Sequence, residues 1–315
     1  MLTTRCLVVG EALVDVVDVV DGVPHPGGSP MNVAIGLARL GIDTRVLTRI
    51  GDDEYGRMLG EHLVREGVAL TAASLRGGEC TSRATAVIGT DGAAVYDFDI
   101  EWTLSESTAI VEAAEADVIH VGSIGASLEP GATAVRAMLR TVSSRTLRTY
   151  DPNIRPALLR PRAAAVARVE TIMAASHVVK LSDEDADWLY PGRAVDDVLA
   201  HLLARGARMA VVTRGGIGCT LAIAGGGRPV TRQAIPVSVV DTIGAGDAFM
   251  SGLVYGLVSG GLVSALTAEV FAPDADLLRA LERVVDTALA SAAVAVSRTG
   301  AAPPHLDELA HSSVS

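Results

Sequence analysis

The stretch VVDTIGAGDAFMSGLVYGL, residues 239–257, decides how the fold of this chain is interpreted. An apolar segment ends at Asp241, a glycine-rich turn follows at 244–246, and Asp247 opens an apolar helix. Amides at the start of a helix point outward and carry partial positive charge, so the turn can hold an anion without a lysine. A carboxylate beside that anion suits proton removal from a hydroxyl that attacks a phosphoryl group. The stretch therefore indicates phosphoryl transfer, and a simple helix cap at Asp247 is the alternative.

Outward from this stretch, short apolar segments alternate with helical patterns of about 10–15 residues. This alternation predicts an α/β fold with a central, mostly parallel sheet flanked by helices on both faces. We predict strands at 6–10, 44–50, 117–122, 146–151, 177–181, 209–214 and 237–241. We predict helices at 29–40, 53–66, 105–115, 130–143, 161–175, 193–205, 244–259 and 274–297. Ligands bind beyond the carboxyl ends of parallel strands. The candidate residues at those ends are Asp151, Lys180, Arg214 and Asp241.

One region does not follow the alternation of strands and helices. The segments TAVIG and AAVYDFD flank the turn signal Thr90-Asp91-Gly92, which predicts a β-hairpin. Together with residues from roughly 12–26, the segment at roughly 80–101 is expected to form a small β-sheet lid on the main sheet. Residues 1–304 are then a single domain that includes the lid, and residues 305–315 are a polar C-terminal tail.

Composition excludes several classes of protein. The chain has 315 residues and a formal net charge of −11, so its surface repels nucleic acid. Its single lysine, Lys180, follows Val179, which excludes a P-loop and the lysine motif of protein kinases. The 3 cysteines form no CxxC pair and indicate a reducing compartment. No apolar run reaches the about 20 residues that span a bilayer, and no signal peptide is recognisable, so we expect a cytoplasmic protein without a membrane partner.

Two long motifs at opposite ends of the chain carry a resemblance. The first is GGSPMNVA, residues 27–34, with its continuation to Gly51, and the second runs from Asp241 through Val254. In this order they resemble the two signatures of the PfkB, or ribokinase-like, family of carbohydrate kinases. The resemblance covers nearly the whole chain, including the hairpin at the family's lid position. It implies a ribokinase-like fold, and it places Asp247 where the family has its catalytic base.

The resemblance also implies which residues contact the sugar. Gly27 and Gly28 would be the hinge between lid and main domain, and Arg155 would lie near the transferring phosphoryl group or the substrate, where a guanidinium stabilises spreading negative charge. The implied sugar-binding residues are Asp15, Gly27, Gly28, Asn32, Phe98, Asn153, Arg155 and Asp247. The ordinary alternatives are an exposed strand aspartate at position 15, a first-turn asparagine at 32 and a surface arginine at 155.

The nucleotide site is implied at the ends of two predicted strands. Lys180 and Ser182 end one strand, and TRGGIG, residues 213–218, is similar to the family's T-L-G-x-x-G loop with Arg214 in place of leucine. Arg214 either contacts a phosphate or faces only solvent. The implied nucleotide-binding residues are Lys180, Ser182, Thr213, Arg214, Gly215, Gly218, Gly244, Ala245 and Gly246. The implied catalytic set is Asp247, Arg155 and the turn residues Gly244, Ala245 and Gly246.

Two ion sites follow from the same resemblance. The run Ser182-Asp183-Glu184-Asp185 stands where the family has N-x-x-E, so Asp185 would contact magnesium through water in place of the usual glutamate. Asp241 and Ile243 would belong to the loop that binds a monovalent cation in some members. The segment 290–303 resembles the wall of the adenine pocket, and an ordinary alanine-rich helix is the alternative.

These motifs favour an ATP-dependent kinase that phosphorylates a sugar primary hydroxyl, with fructose to fructose 6-phosphate as the first choice. The segments GEALVD, SPMN and DPNIR are typical of fructokinase-like members. The alternatives are 2-keto-3-deoxygluconate kinase, another ribokinase-family sugar kinase, and a non-catalytic sugar-binding sensor. The implied cofactors are ATP and Mg²⁺, with K⁺ as an optional third. The implied partners are the small-molecule sugar and ATP, and a homodimer through the lid is a further expectation.

Overall fold

The computed structural model describes residues 4–18, 23–76, 80–88 and 94–312. The strands are β1 (Arg5–Val9), β2 (Leu13–Asp18), β3 (Pro24–Gly27), β4 (Asp43–Leu47), β5 (Ile50–Gly51), β6 (Ala69–Leu70), β7 (Leu75–Arg76), β8 (Arg83–Ile88), β9 (Ala94–Asp99), β10 (Val118–Gly122), β11 (Leu147–Asp151), β12 (Val178–Ser182), β13 (Met209–Thr213), β14 (Cys219–Ile223) and β15 (Val230–Arg232). The α-helices are α1 (Ser29–Arg39), α2 (Glu54–Arg65), α3 (Glu106–Ala113), α4 (Ser123–Ser127), α5 (Gly131–Thr141), α6 (Arg162–Ala174), α7 (Asp183–Leu189), α8 (Val195–Ala204), α9 (Ala245–Ser259), α10 (Val263–Thr267), α11 (Ala275–Val296) and α12 (Leu306–Ser312).

A nine-stranded sheet forms the centre of the protein, in the order β15-β14-β13-β12-β11-β10-β1-β4-β6. Every pairing from β6 across to β13 is parallel, whereas β14 and β15 pair antiparallel at one edge. One apolar core packs α1, α9 and α11 against this sheet, and a second packs α5, α6 and α8 against its other face. The predicted α/β fold, with a mostly parallel sheet covered on both faces, is confirmed.

The small residues that follow Asp247 explain how its helix is held. A Cβ atom on Gly252 would lie 2.7 Å from the Cβ of Ser291, and one on Gly256 would lie 2.9 Å from Cγ1 of Val284. Both contacts bring α9 close to α11, because only a residue without a side chain leaves room for this approach. Helix α9 is thereby fixed between helices, and it carries Asp247 in its first turn.

A smaller sheet lies beside the main one, in the order β3-β2-β8-β9. Strands β2 and β8 pair in parallel, and the two outer strands pair antiparallel to them. These strands come from the two segments that the sequence assigns to the small sheet. The predicted turn Thr90-Asp91-Gly92 lies outside the described residues. The function of this sheet as a lid and a homodimer through it stay predictions.

The strand predicted at 237–241 is wrong. This segment has no strand hydrogen bonds to the sheet, and Val237, Val239 and Val240 are exposed. The backbone amides of Val240 and Asp241 donate instead to the carbonyl of Val296, at 2.8 and 3.3 Å, where α11 ends. Strands β14 and β15 occupy the sheet edge, so the apolar alternation of 237–241 reflects a surface loop rather than a buried strand.

The C-terminal segment 305–315 is not simply a polar tail. It contains α12, whose Leu309 is buried in a small cluster with Leu40 and Ala290. Glu308 of the same helix forms an ion pair with Arg298. The apolar contact of Leu309 and the ion pair of Glu308 together hold this short helix against the domain. Across the described ranges, no helix combines the length and the apolar composition needed to cross a membrane.

Candidate active site

The carboxyl edge of the parallel sheet brings together residues that are far apart in sequence. Strand β11 ends at Asp151, which pairs in register with Gly122 at the end of β10. Strand β12 ends at Ser182, which pairs with Thr213 at the end of β13. The first turn of α9 meets this edge, because the side-chain nitrogen of Lys180 lies 3.1 Å from the position that a Cβ would take on Gly246. The edge therefore forms one continuous polar site.

Asp247 is buried and oriented by two side chains of α1. Its Oδ1 accepts a hydrogen bond from the hydroxyl of Ser29 at 2.6 Å, and its Oδ2 accepts one from Nδ2 of Asn32 at 2.8 Å. Burial raises the pKa of Asp247, and the donors Ser29 and Asn32 together with the charges of Lys180 and Arg155 oppose that rise. The result is a carboxylate held in one orientation, as a general base requires.

The glycine turn before Asp247 is built as the sequence predicts, with one difference. Gly244 is the N-cap at φ 74°, a conformation that favours glycine, and a Cβ there would lie 2.7 Å from the Cβ of Ala301. The amide of Ala245 is not free, because it donates to the carbonyl of Thr242 at 3.2 Å. The amides of Gly246 and Asp247 in the first turn have no helical carbonyl to bind. They are the donors available to an anion.

Lys180 and Asp151 form a buried ion pair below this turn. Nζ of Lys180 lies 2.8 Å from Oδ2 of Asp151, and their side chains are 5% and 1% exposed. Burial lowers the pKa of Lys180, but Asp151, Asp185 and Asp247 outweigh it and raise that pKa, so the amine stays charged. Burial raises the pKa of Asp151 to about 6. Oδ1 of Asp151 has no hydrogen-bond partner among the described residues, so this edge offers one cation and one free acceptor.

Three of the residues expected at the sugar, Asp15, Gly27 and Gly28, lie on or directly after strands β2 and β3. A Cβ on Gly27 would lie 2.0 Å from Oδ2 of Asp15, so glycine at position 27 makes room for that carboxylate. Gly28 adopts φ 108° and would place a Cβ 2.7 Å from the carbonyl oxygen of Glu11. Burial raises the pKa of Asp15, while Arg155 and His25 act against the rise. Asp15 is thus a partly buried acceptor beside a tight glycine pair.

The segment after β11 presents Arg155 to the same region. Asn153 has φ 39°, and its Oδ1 accepts a hydrogen bond from Nη1 of Arg155 at 2.8 Å. The charge of exposed Arg155 acts against the burial-driven rise in the pKa of both Asp15 and Asp247. Phe98 lies on β9 opposite Ala84 of β8 and is half-buried. Its contact with a sugar stays a prediction.

Both carboxylate oxygens of Asp185 accept hydrogen bonds from backbone amides. Its Oδ1 accepts the amide of Ile154 at 2.7 Å, and its Oδ2 accepts the amide of Ser182 at 3.1 Å. The hydroxyl of Ser182 accepts the amide of Asp185 at 3.0 Å, which completes a capping box at the start of α7. Asp185 therefore joins the end of β12 to the segment that carries Arg155.

The loop at 213–218 follows β13 beside Ser182. Gly218 adopts φ 104°, and a Cβ there would lie 2.1 Å from the carbonyl oxygen of Arg232, so only glycine fits. Gly215 also has a positive φ of 50°. Arg214 donates its backbone amide to Gly218 at 2.7 Å, and its buried Nε lacks a hydrogen-bond partner in the part of the chain that the structure describes. Arg214 is half-buried rather than fully solvated.

The loop at 241–243 is fastened to the end of α11. Oδ1 of Asp241 accepts the amide of Ile243 at 3.0 Å, and Oδ2 accepts the amide of Gly300 at 2.8 Å. The hydrogen bonds from Ile243 and Gly300 lower the pKa of Asp241, so the carboxylate is charged near neutral pH. This arrangement closes a small loop beside the glycine turn.

Sequence reasoning missed two residues of the site. Ser29 opens the predicted helix 29–40, where a serine commonly serves as N-cap, but Gly28 is the N-cap of α1 and the Ser29 hydroxyl donates to Asp247. Glu11 is buried at the end of β1, and nothing in the motifs assigns it a partner. A serine one turn before Asn32, on the same helix face, was the available signal for Ser29.

Comparison with known proteins agrees with this arrangement. The profile of the pfkB family carbohydrate kinases matches residues 3–308. The chain is 34% identical over 259 residues to a fructokinase of Rhizobium leguminosarum bv. trifolii, covering 79% of this chain and 78% of that protein. It is 31% identical over 309 residues to a fructokinase of Escherichia coli, covering 95% of each.

Solved structures give the same fold. The crystal structure of a fructokinase with bound ATP from Xylella fastidiosa superposes with a TM-score of 0.84 at 24% identity, covering 99% of this chain and 98% of that one. A ribokinase from Thermotoga maritima superposes with a TM-score of 0.76 at 18% identity, covering 99% and 100%. The resemblance to a ribokinase-like fold is thereby confirmed.

The pfkB family match and the curated fructokinase relatives define the class of protein: a sugar kinase, which is a phosphotransferase with an alcohol group as acceptor. The match over residues 3–308 and the identities to curated relatives define the family. The chain belongs to the pfkB family of carbohydrate kinases.

Proposed function

We propose that this kinase is an ATP-dependent fructokinase, which transfers the γ-phosphoryl group of ATP to the 6-hydroxyl of fructose. Fructokinases of Rhizobium leguminosarum bv. trifolii and Escherichia coli, at 34% and 31% identity, support the choice of sugar. The observation that carries the proposal is the geometry of Asp247, a buried carboxylate with both oxygens oriented by α1 and with the free amides of its own helix beside it.

In this reaction Asp247 removes the proton of the attacking hydroxyl. The sugar oxygen forms a bond to the γ-phosphorus as the bond from that phosphorus to the bridging β,γ-oxygen breaks, and ADP leaves with the electron pair. The proton resides on Asp247 until it passes to solvent. Ser29 and Asn32 keep the carboxylate aimed at one position, so the sugar need only be held there for the transfer to occur.

Negative charge spreads over the transferring phosphoryl group, and the site meets it with fixed donors. The amides of Gly246 and Asp247 face that position, and Lys180 places its charged amine 3.1 Å from the Cβ position of Gly246. Arg155 supplies a second permanent charge, which acts against the burial-driven rise in the pKa of Asp247. Preorganised donors of this kind need little rearrangement in the transition state, which is why they are effective.

The residues also fit the ions that such a reaction uses. Mg²⁺ retains much of its water and binds chiefly to phosphates, so the protein need supply only acceptors for those waters. Asp185 is our proposed acceptor, and the unpartnered Oδ1 of Asp151 lies at the same edge. When bound, the metal neutralises phosphate charge. Asp241 and Ile243 are proposed to hold K⁺, in the loop that Gly300 closes.

The small sheet is proposed to close over the sugar. Gly27 ends β3 of the small sheet and Gly28 precedes α1, which packs on the main sheet. Neither position has space for a side chain, so the two glycines form a compact joint between the small sheet and the main domain. Closure would exclude water, which competes with the sugar as phosphoryl acceptor.

A coupled assay of ADP release with ATP and a panel of sugars tests the proposal. Fructose should give the highest kcat/KM, above 2-keto-3-deoxygluconate, ribose and adenosine. A higher value for 2-keto-3-deoxygluconate would refute the fructokinase assignment. Sugar binding without sugar-dependent ADP release from any of the four would refute catalysis by this site, and Asp247→Asn provides the matched background rate.

A further inference from the structure

Glu11 is a buried carboxylate at the catalytic edge that the proposed reaction does not use. It directly follows the turn at the end of β1 and is 3% exposed. Its Oε2 accepts the backbone amide of Gly125 at 2.8 Å, and Ser123 also acts to lower its pKa. Both residues belong to α4, which follows the neighbouring strand β10.

Glu11 replaces the missing cap of α4. The N-cap of that helix is Gly122, which has no side chain to accept the first amides. The helix is also wedged between two strand ends, since a Cβ on Gly125 would lie 2.6 Å from Cα of Gly10, and one on Gly122 would lie 2.9 Å from the carbonyl oxygen of Asp151. Residues 121–127 are buried throughout. The Glu11 carboxylate therefore fastens a closely packed segment that touches the ends of β1 and β11.

The backbone of the same residue lies under the joint of the small sheet. A Cβ on Gly28 would lie 2.7 Å from the carbonyl oxygen of Glu11 and 3.2 Å from Cα of Ala12. Strand β2, which carries Asp15, begins directly after this contact. Glu11 thus contacts α4 through its side chain and Gly28 through its carbonyl group. We expect a shift of α4 to be transmitted to Gly28 through this residue.

The Glu11 carboxylate is close to the midpoint of its titration at neutral pH. Burial raises the pKa of Glu11 to about 7, against the Gly125 amide, the Ser123 hydroxyl and the charge of Arg155. Burial also lowers the pKa of His120 to about 3, so that ring stays neutral. The charged and titratable side chains near this edge include Asp15, Arg49, His120, Asp151, Arg155, Lys180 and Asp247, and Arg155 is the one whose charge acts on Glu11. Glu11 therefore gains or loses its proton, and with it one negative charge, within the neutral pH range.

We propose that Glu11 is a positioning residue for the sugar side of the site: its ionised carboxylate holds α4 and the Gly28 joint in the arrangement that binds sugar. The assignment rests on the proposed sugar-kinase function. It concerns sugar binding and not nucleotide binding, because the Glu11 carbonyl lies against Gly28 and the charge of Arg155 acts on its carboxylate, whereas the nucleotide residues follow β12 and β13.

The test compares wild-type protein with Glu11→Gln, measuring KM for sugar, KM for ATP and kcat from pH 6 to 8. Glutamine keeps an acceptor for Gly125 but carries no charge. We expect the sugar KM of Glu11→Gln at pH 8 to rise roughly three- to tenfold, as a weakened charge-assisted hydrogen bond would give, with the ATP KM unchanged. The wild-type sugar KM should fall from pH 6 to pH 8, and that of the variant should not. Asp274→Asn, which alters the exposed cap of α11, is the matched control and should change neither KM.

Each outcome decides a separate point. Equal sugar KM values and equal pH profiles in wild type and Glu11→Gln overturn the proposal, and so does an equal rise in both KM values. If Glu11→Gln fails to fold, Glu11→Asp, which keeps the charge but withdraws it from Gly125, must raise the sugar KM. A wild-type protein that phosphorylates no sugar overturns the proposed function instead. Hydrogen exchange at the Gly125 amide needs no sugar, and it must be faster in Glu11→Gln if the carboxylate caps α4.

Discussion

Nδ2 of Asn32 lies 2.8 Å from Oδ2 of Asp247, a contact between residues that are 215 positions apart in sequence. The hydroxyl of Ser29 binds the other oxygen at 2.6 Å. Both donors lie on the first turn of α1, directly after the glycine joint of the small sheet. The position of Asp247, our proposed base, is therefore linked to the position of that glycine pair, because the helix that follows the small sheet also orients this carboxylate.

Replacing Asp247 with asparagine should remove the general base while keeping the fold. The amide is close to the carboxylate in shape but cannot accept the hydroxyl proton at neutral pH. We expect kcat to fall by about 10²–10⁴-fold with sugar binding retained. Steady-state kinetics, together with a thermal unfolding curve that matches wild type, would show this. Turnover close to that of wild type would show that Asp247 is not the general base.

Replacing Ser29 with alanine should shift the acid limb of the pH profile. The Ser29 hydroxyl opposes the rise in the pKa of Asp247 that burial causes, so its removal raises that pKa further. The base is active only when ionised, and activity is therefore lost at higher pH in Ser29→Ala than in wild type. Profiles of kcat/KM against pH measure the shift, and Ser105→Ala, in the exposed cap of α3, is the control. An acid limb at the same pH as in wild type, or at a lower pH, would contradict the role of Ser29 in lowering the pKa of Asp247.

Replacing Lys180 with methionine should weaken ATP binding and destabilise the fold for separate reasons. The anion site loses its amine, and Asp151 becomes a buried carboxylate without its partner, which costs about 3–5 kcal/mol. The double variant Lys180→Met with Asp151→Asn should recover much of the unfolding free energy but not the ATP affinity. Chemical denaturation and ATP titration separate the two effects. An ATP affinity equal to wild type in the double variant would exclude Lys180 from the nucleotide site.

Replacing Gly246 with valine should block the anion site. A Cβ at this position lies 3.1 Å from the flexible end of Lys180, and the larger side chain would cover the amides of the first turn. We expect kcat/KM to fall by about 10²-fold or more, which is the loss that follows removal of a single preorganised donor. Thermal unfolding should change little, because the amine can move aside. Gly60→Ala in α2, where a Cβ makes only an ordinary contact at 3.7 Å, is the control; equal losses in both variants would contradict a blocked site.

Local patterns predicted the parts of the fold that rest on local physics. Alternation of apolar strands and amphipathic helices is visible within short windows, because burial of one face requires it. The segment 237–241 shows the limit of that reasoning. Its apolar residues have the pattern of a strand, yet they lie on the surface and bond to the end of α11. Whether such a segment joins the sheet depends on which strands already occupy the edge, here β14 and β15.

The sequence by itself determined the α/β class and the glycine turn at 244–246 with Asp247 beside it, because each depends on residues that are close together in the chain. Only the tertiary structure decided the hydrogen-bond partners of Asp247 and of Glu11. Ser29 and Gly125 reach their carboxylates across the sheet edge, from positions 218 and 114 residues away. Such contacts follow from the order in which parallel strands are placed in the sheet, which no local pattern of residues encodes.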